Sequence, residues 1–211
     1  MRGELFIRTD VDPAYEADFN AWYDREHMEE RAAIPGFRWG RRYIRLAEGE
    51  GRYLALYQTE SLGVFTSSAY AAAFGKQTAW SLANFERMRK PSRRVCAVET
   101  EVGAGTGAAL GLVTLGAATA SSVPALMRKL SEMAGVVSQR ILVPDTALST
   151  PLPAEQKEGR VLSAMLLIET TSDEVAQTAA AQVAGALALP ASAVAYFRLL
   201  WELRSEDLRT A

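Results

Sequence analysis

The sequence predicts an α+β fold built from two similar halves, on three observations. Hydrophobic periods of two and of about 3.6 alternate twice in the same order, strand, helix, strand, strand, helix, strand. A glycine-rich segment, Gly103-Ala104-Gly105-Thr106-Gly107, separates the two runs. The 211 residues, 49% hydrophobic and 23% charged, are enough to bury a core without disulfides.

In the first half, residues 4–11 alternate, with Leu5 and Ile7 on one face and Phe6 and Arg8 on the other. Asp12-Pro13 supplies a cap and a proline at the first helical position. Tyr15, Phe19, Trp22 and Tyr23 then recur at helical spacing, predicting a helix to about Ala33 that Pro35-Gly36 stops. Residues 37–46 and 52–59 read as a hairpin across Glu48-Gly49-Glu50-Gly51. A helical region over 61–89, broken near Phe74-Gly75 and ended by Pro91, leads to a strand over 93–102. This βαββαβ order is the split βαβ arrangement of the ferredoxin-like motif.

The order repeats after the glycines. Residues 108–115 read as a strand, and Ser121-Ser122 caps a helix running through Met133 that Gly135 closes. A strand over 136–143, a proline-bearing loop over 144–159, a strand over 160–169, an alanine-rich helix over 172–187 and a strand over 193–204 complete it. The predicted division is therefore a first repeat over 1–102, a linker over 103–107 and a second repeat over 108–205. An antiparallel sheet with helices on one face leaves its other face apolar, and two such sheets packed face to face cover one another. The second repeat can serve as the first one's built-in partner, giving a monomer with an internal pseudo-dimer or a homodimer.

Composition narrows the function. A net charge of −2 argues against nucleic acid as a partner, since Arg38, Arg41, Arg42 and Arg45 fit one basic strand face. No apolar run reaches bilayer length, the start lacks a signal-peptide pattern, and the expectation is a cytoplasmic protein that does not meet the membrane. The single cysteine, Cys96, can form no internal disulfide and reads as a small buried hydrophobe. The glycine run lacks the lysine of a phosphate loop, and no serine sits in a nucleophile elbow.

The chemistry-bearing stretch is Trp22 to Arg31. Phe19, Tyr23, His27 and Arg31 lie four apart and share one helical stripe that turns from aromatic to polar. His27 is the one histidine and the one side chain whose ordinary titration lies near neutrality. Glu26, Glu30 and Arg31 stand close enough in sequence to tune it for acid–base work. The competing reading makes His27 an amphipathic filler favoured by the helix dipole. A metal site is not expected, because Glu26 and Glu30 flank the stripe and no second histidine completes it. Tyr43, Tyr57, Tyr70 and Trp80 are further pocket candidates that core packing would explain equally. Three of the four tryptophans and the histidine precede the linker, as expected of a site-bearing half beside a structural one.

The run Trp22-Tyr23-x-x-Glu26-His27 with Glu29, Glu30 and Arg31, followed by Pro35-Gly36-Phe37 and Arg41-Arg42-Tyr43, resembles the EthD-like branch of the dimeric α/β-barrel superfamily. The match covers about residues 4–100; the second half fits by element order alone. The resemblance implies two facing four-stranded sheets with a small-molecule pocket between each sheet and its helices. It also implies that His27 is the pocket's acid–base residue, with Trp22, Tyr23 and Arg31 near it. That fold hosts cyclases, isomerases, lyases, monooxygenases and haem enzymes, so fold does not choose the reaction. Haem is not expected, because haem-binding relatives place their ligand elsewhere and no other histidine is present.

The expected function is cofactor-free acid–base chemistry (isomerase, cyclase or lyase) on an aromatic or carbonyl metabolite. His27, Arg31 and Tyr23 would be catalytic; Trp22, Glu26, Arg42, Tyr43, Tyr57 and Trp80 would contact substrate. A binding protein that leaves its ligand unchanged, or a structural and oligomerising role, remain the alternatives.

Overall fold

The structure, a computed structural model, describes residues 1–116 and 122–209. The first half consists of β1 (Gly3–Val11), a helical run of α1 (Glu16–Trp22), a π turn (Tyr23–His27) and α2 (Met28–Ala32), then β2 (Phe37–Arg45), β3 (Tyr53–Thr59), α3 (Ser68–Gly75), α4 (Ala79–Arg87) and β4 (Met88–Gly103). The second consists of β5 (Ala109–Thr114), α5 (Val123–Ser131), β6 (Val136–Pro144), β7 (Met165–Thr170), α6 (Asp173–Ala186) and β8 (Val194–Arg204). Of the expected Ser121-Ser122 cap, Ser121 lies outside the described residues and Ser122 stands at the N-cap of α5 without a side-chain capping bond.

All eight strands close into one antiparallel barrel, ordered β1-β3-β2-β8-β5-β7-β6-β4. Each half contributes four neighbours in the same internal order, β4-β1-β3-β2 and β8-β5-β7-β6. The seams are β2 on β8, with Trp39 opposite Arg204, and β4 on β6, with Cys96 opposite Pro144. Closure leaves no strand edge unpaired. Alternation along β1 sends Phe6 into the barrel, where it meets Tyr43, Leu56, Leu110, Leu167 and Phe197, while Leu5 joins the core beneath the helices. Cys96 lies in the barrel core and its thiol is pushed far up by burial, so it stays protonated. No helix among the described residues is long and apolar enough to cross a membrane.

The two helical layers differ. Over the first half the core is aromatic, with Phe19, Trp22, Tyr23, Tyr57 and Tyr70 in one cluster. Over the second, Ala176 and Ala180 of α6 press onto Gly111 of β5 so closely that a β-carbon there would stand 3.0 Å from the Ala176 carbonyl and 3.1 Å from Ala180 Cβ. Small residues draw α6 onto its sheet; bulky rings fill the space beneath the helices of the first half.

One end of the barrel interior is charged. Arg140 Nε donates to Glu4 at 2.9 Å and its Nη1 to Glu169 at 3.0 Å; Glu169 Oε1 also accepts from Arg41 and from the Tyr43 hydroxyl, each at 3.0 Å. Glu4 and Glu169 are fully buried. Burial and the neighbouring Glu169 hold the Tyr43 phenol well above its ordinary pKa.

Two sequence expectations need correction and one is refined. The helical region expected over 61–89 breaks at Phe74-Gly75 as expected, into α3 and α4, each with its own cap (Ser67 Oγ accepts from the Tyr70 N–H, and Thr78 Oγ1 from the Ser81 N–H), while its first residues form a short 3-10 turn. Pro91 does not terminate a helix; it lies inside β4, which begins at Met88. A register shift against β1 between Arg8 and Asp10, with Lys90 at φ 46°, accommodates a residue that has no N–H to give. The strand expected over 160–169 begins only at Met165, because Arg160 is drawn to Glu155 and to the Arg93 carbonyl instead.

Candidate active site

A cavity of about 640 Å³ opens between the outer face of the first half's sheet and its helices. Leu5 and Ile7 of β1, Tyr57 of β3 and Met88, Pro91 and Arg93 of β4 form its floor; Tyr70, Phe74, Leu82 and Phe85 form its helical wall. Tyr23, His27 and Arg31 line it from the first helical run. Leu152, Pro153 and Ala154, from the second half's long loop, roof it.

The π turn shapes the polar wall. The Met28 N–H bonds to the Tyr23 carbonyl five residues back rather than four, which widens the turn, a device common at functional positions. Glu26 leaves on the far side. Its carboxylate accepts from Thr78 Oγ1 at 2.6 Å and Ser81 Oγ at 3.2 Å, at the N-terminus of α4, where negative charge is favoured. The helix carrying His27 is thereby pinned to the helix opposite.

His27 is 7% exposed. Its ring stacks on Trp22 with centroids 4.2 Å apart and takes the edges of Tyr23 at 5.2 Å and Phe85 at 5.7 Å. Nδ1 is buried without a hydrogen bond, and the nearest carboxylate oxygen, on Glu30, stands 3.9 Å away. Burial first, then the Arg31 and Arg42 charges, push the imidazole well below its usual pKa, so at neutral pH it is an uncharged base. Burial raises the Glu30 carboxyl, and raises Tyr23 and, well above the usual range, Tyr57, leaving both phenols as protonated donors. Arg31 is 5% exposed and donates to the Ala73 carbonyl at 3.4 Å.

The lowered histidine pKa has a stability consequence. Below the unfolded value, about 6.5, the unfolded chain binds a proton that the folded chain refuses. Stability is therefore undiminished above that pH and is lost as pH falls toward the depressed folded value. Between pH 7 and 5, the unfolding free energy of the wild type is expected to fall by up to about 1.4 kcal/mol per pH unit more than that of His27→Gln. Urea titrations at several pH values check this; equal slopes would show that His27 is not held neutral.

The structure gathers four of the nine expected site residues, Tyr23, His27, Arg31 and Tyr57, around one cavity, together with Tyr70. The other five lie elsewhere. Trp22 backs the imidazole from the core. Arg42 lies beneath Tyr23, 4.1 Å from the ring centroid, and bonds Asn20 at 2.8 Å and Asp24 at 3.3 Å. It reaches the site through Tyr23 and the charge it places near His27. Glu26 serves the helix pairing described above. Tyr43 points to the opposite face of the sheet, inside the barrel. Trp80 donates its indole N–H to Asp18 at 3.1 Å, outside the cavity wall.

Sequence reasoning missed Arg93, Gln77, Phe74 and the 152–154 roof. Arg93 carried a signal, since it shares its strand face with Val95 of the aromatic core; the roof carried none, because an aperiodic loop does not declare what it covers. Among the described residues no group of three histidine, cysteine, aspartate or glutamate side chains is arranged to hold a metal ion.

No family model and no curated protein matches this sequence. Solved structures do. An anthrone oxidase-like protein superposes with a TM-score of 0.63 at 9% identity, covering 97% of this chain and 93% of that one. A putative monooxygenase from Lactobacillus acidophilus NCFM gives 0.58 at 9% identity, with 97% and 96% covered. A putative chlorite dismutase gives 0.52 at 8%, with 99% and 98% covered. At such identities the likeness speaks for fold, and it spans nearly all of both chains. This protein accordingly shares the fold of these structures, an eight-stranded antiparallel barrel that here closes within one polypeptide.

Proposed function

We propose that this chain is a small-molecule enzyme of the dimeric α/β-barrel type. In this reading it is built of two fused ferredoxin-like repeats, over 1–102 and 108–205, and the first carries the active site, in keeping with the EthD-like motif around His27. His27 takes a proton from a carbon next to a carbonyl on an aromatic or carbonyl metabolite. The C–H electron pair moves into the enolate, and Arg31, with Tyr23 and Tyr57 as neutral donors, stabilises the oxygen that becomes negative. Return of the proton to another carbon, ring closure or loss of a leaving group would make the reaction an isomerisation, cyclisation or elimination. The observation carrying this reading is the imidazole with an unengaged Nδ1, walled by aromatic rings and held neutral by burial, on the lining of a half-open apolar cavity.

Proton NMR in D2O with a panel of aryl ketones and 1,3-dicarbonyl compounds tests it. The wild type is expected to incorporate deuterium next to the carbonyl of compounds that bind. His27→Gln is expected to lose that exchange by about 10²-fold or more while still binding them. Compounds that bind the wild type and return unexchanged would favour a carrier over an enzyme. Each assay is run with and without dioxygen, because two of the similar structures are those of an anthrone oxidase-like protein and a putative monooxygenase.

A further inference from the structure

The protein buries arginines in two ways. Arg140, 2% exposed, is matched by the carboxylates of Glu4 and Glu169. Arg93, 5% exposed, has no carboxylate within 4 Å of its guanidinium among the described residues. Its partners there are neutral: the Leu148 carbonyl at 2.8 Å, the Thr150 carbonyl at 3.1 Å and hydroxyl at 3.2 Å, and the Tyr70 hydroxyl at 3.2 Å. Arg31, equally buried, has one carboxylate near it, Glu30, at 3.9 Å. Nε of both arginines is buried without a hydrogen bond. Both side chains line the same cavity, and both lean on α3, Arg31 through the Ala73 carbonyl and Arg93 through Tyr70. The one carboxylate on the lining, Glu86, lies at the exposed rim and forms no ion pair with either.

A buried guanidinium without a counter-charge is costly, and the cost is recovered when an anion arrives. The rest of the wall, from Leu5 and Ile7 to Phe74, Phe85 and Leu152, is suited to a flat apolar body and not to a small inorganic ion. We infer that the cavity takes an apolar ring compound bearing an anionic group, a carboxylate or its chemical equivalent, with the anion seated against Arg93 and Arg31 and the ring system against the aromatic wall. This rests on the reading of the cavity as the ligand site and names the substrate class for it. It also gives Arg93 a role, that of the anchor which orients the substrate toward His27 and fixes which carbon the imidazole faces.

The test uses two dyes with one skeleton: 8-anilinonaphthalene-1-sulfonate, which is anionic, and N-phenyl-1-naphthylamine, which lacks the sulfonate. Water solubility alone favours burial of the neutral dye. The wild type is nevertheless expected to bind one sulfonate dye per chain about tenfold more tightly than the neutral dye. Arg93→Gln is expected to abolish that preference while leaving the neutral dye's affinity unchanged, and Arg93→Lys to keep part of it. Because Arg93 also holds the 148–150 segment, Arg31→Gln serves as a second variant and is expected to halve the preference or more. Equal binding of both dyes by the wild type overturns the inference and leaves the apolar cavity standing. A loss of both dyes alike in Arg93→Gln, with Arg31→Gln unchanged, overturns it by showing that Arg93 only supports the roof. Binding of neither dye by the wild type removes the ligand site itself, and with it the proposed function.

Discussion

Arg140→Met is expected to destabilise the protein by about 3–5 kcal/mol, because it removes the only cation paired with Glu4 among the described residues, a carboxylate with no access to water. Glu4 and Glu169 are fully buried, and Arg140 gives Glu4 three of its hydrogen bonds, from Nε to both oxygens and from Nη2 at 3.0 Å. Glu169 would keep Arg41, Tyr43 and the Gly107 N–H; Glu4 would keep a long bond from Gln58 at 3.4 Å. The cost should therefore fall mainly on Glu4. Adding Glu4→Gln to Arg140→Met should recover much of the loss, since the penalty comes from an unmatched charge and not from a missing attraction. Equilibrium urea unfolding of the single and double variants measures both effects. A single variant within about 1 kcal/mol of wild type would contradict this account of the barrel's charged end. The group joins β1 to β6 across one seam, so its loss should also loosen closure of the barrel.

Trp22→Ala is the second large effect, expected to cost about 3–5 kcal/mol. Trp22 is fully buried against Phe19, Tyr23, His27 and Phe85, and its indole N–H donates to Ser81 Oγ at 3.0 Å. Removal opens a hole under the imidazole and leaves a buried hydroxyl short of a donor. Water admitted there solvates the protonated ring, so the His27 pKa should move up toward its ordinary value, about 6.5. With one histidine in the chain, its ring protons can be followed by NMR without ambiguity. Trp22→Phe keeps the apolar plane and should leave the titration close to wild type while still losing the Ser81 bond. A depressed titration that survives Trp22→Ala would assign the shift to Arg31 and Arg42 instead of burial.

The order of strands and helices was legible because each element's burial is one-sided and its period is therefore written into the residues. Leu5 against Phe6 on β1 shows this, as does the Phe19–Tyr23–His27 stripe. The placement of His27, Tyr23 and Arg31 on a cavity followed from that stripe even though the π turn interrupts it, since one widened turn shifts direction without turning the face away. The π turn itself left no trace, because no residue type demands it. Pro91 misled because a proline after a helical pattern reads as a stop, whereas here the irregularity sits in a strand. Tyr43 misled because alternation alone does not say which face of a sheet meets helices and which meets the other sheet. Arg93 and the 152–154 roof escaped because their roles come from contacts between segments distant in sequence.

The roof has an evolutionary consequence. In a symmetric assembly of identical subunits, any change to a covering loop appears at every copy of the site at once. Here Leu152, Pro153 and Ala154 cover a hollow formed by residues more than fifty positions earlier, and Glu155 reaches back to the Arg93 N–H and Arg94. The segment that roofs the cavity is thus encoded apart from the helical run that holds the imidazole, and it is tied to the scaffold through β4. In the proposed reading, substitutions in the roof would change what the hollow admits while leaving Tyr23, His27 and Arg31 in place.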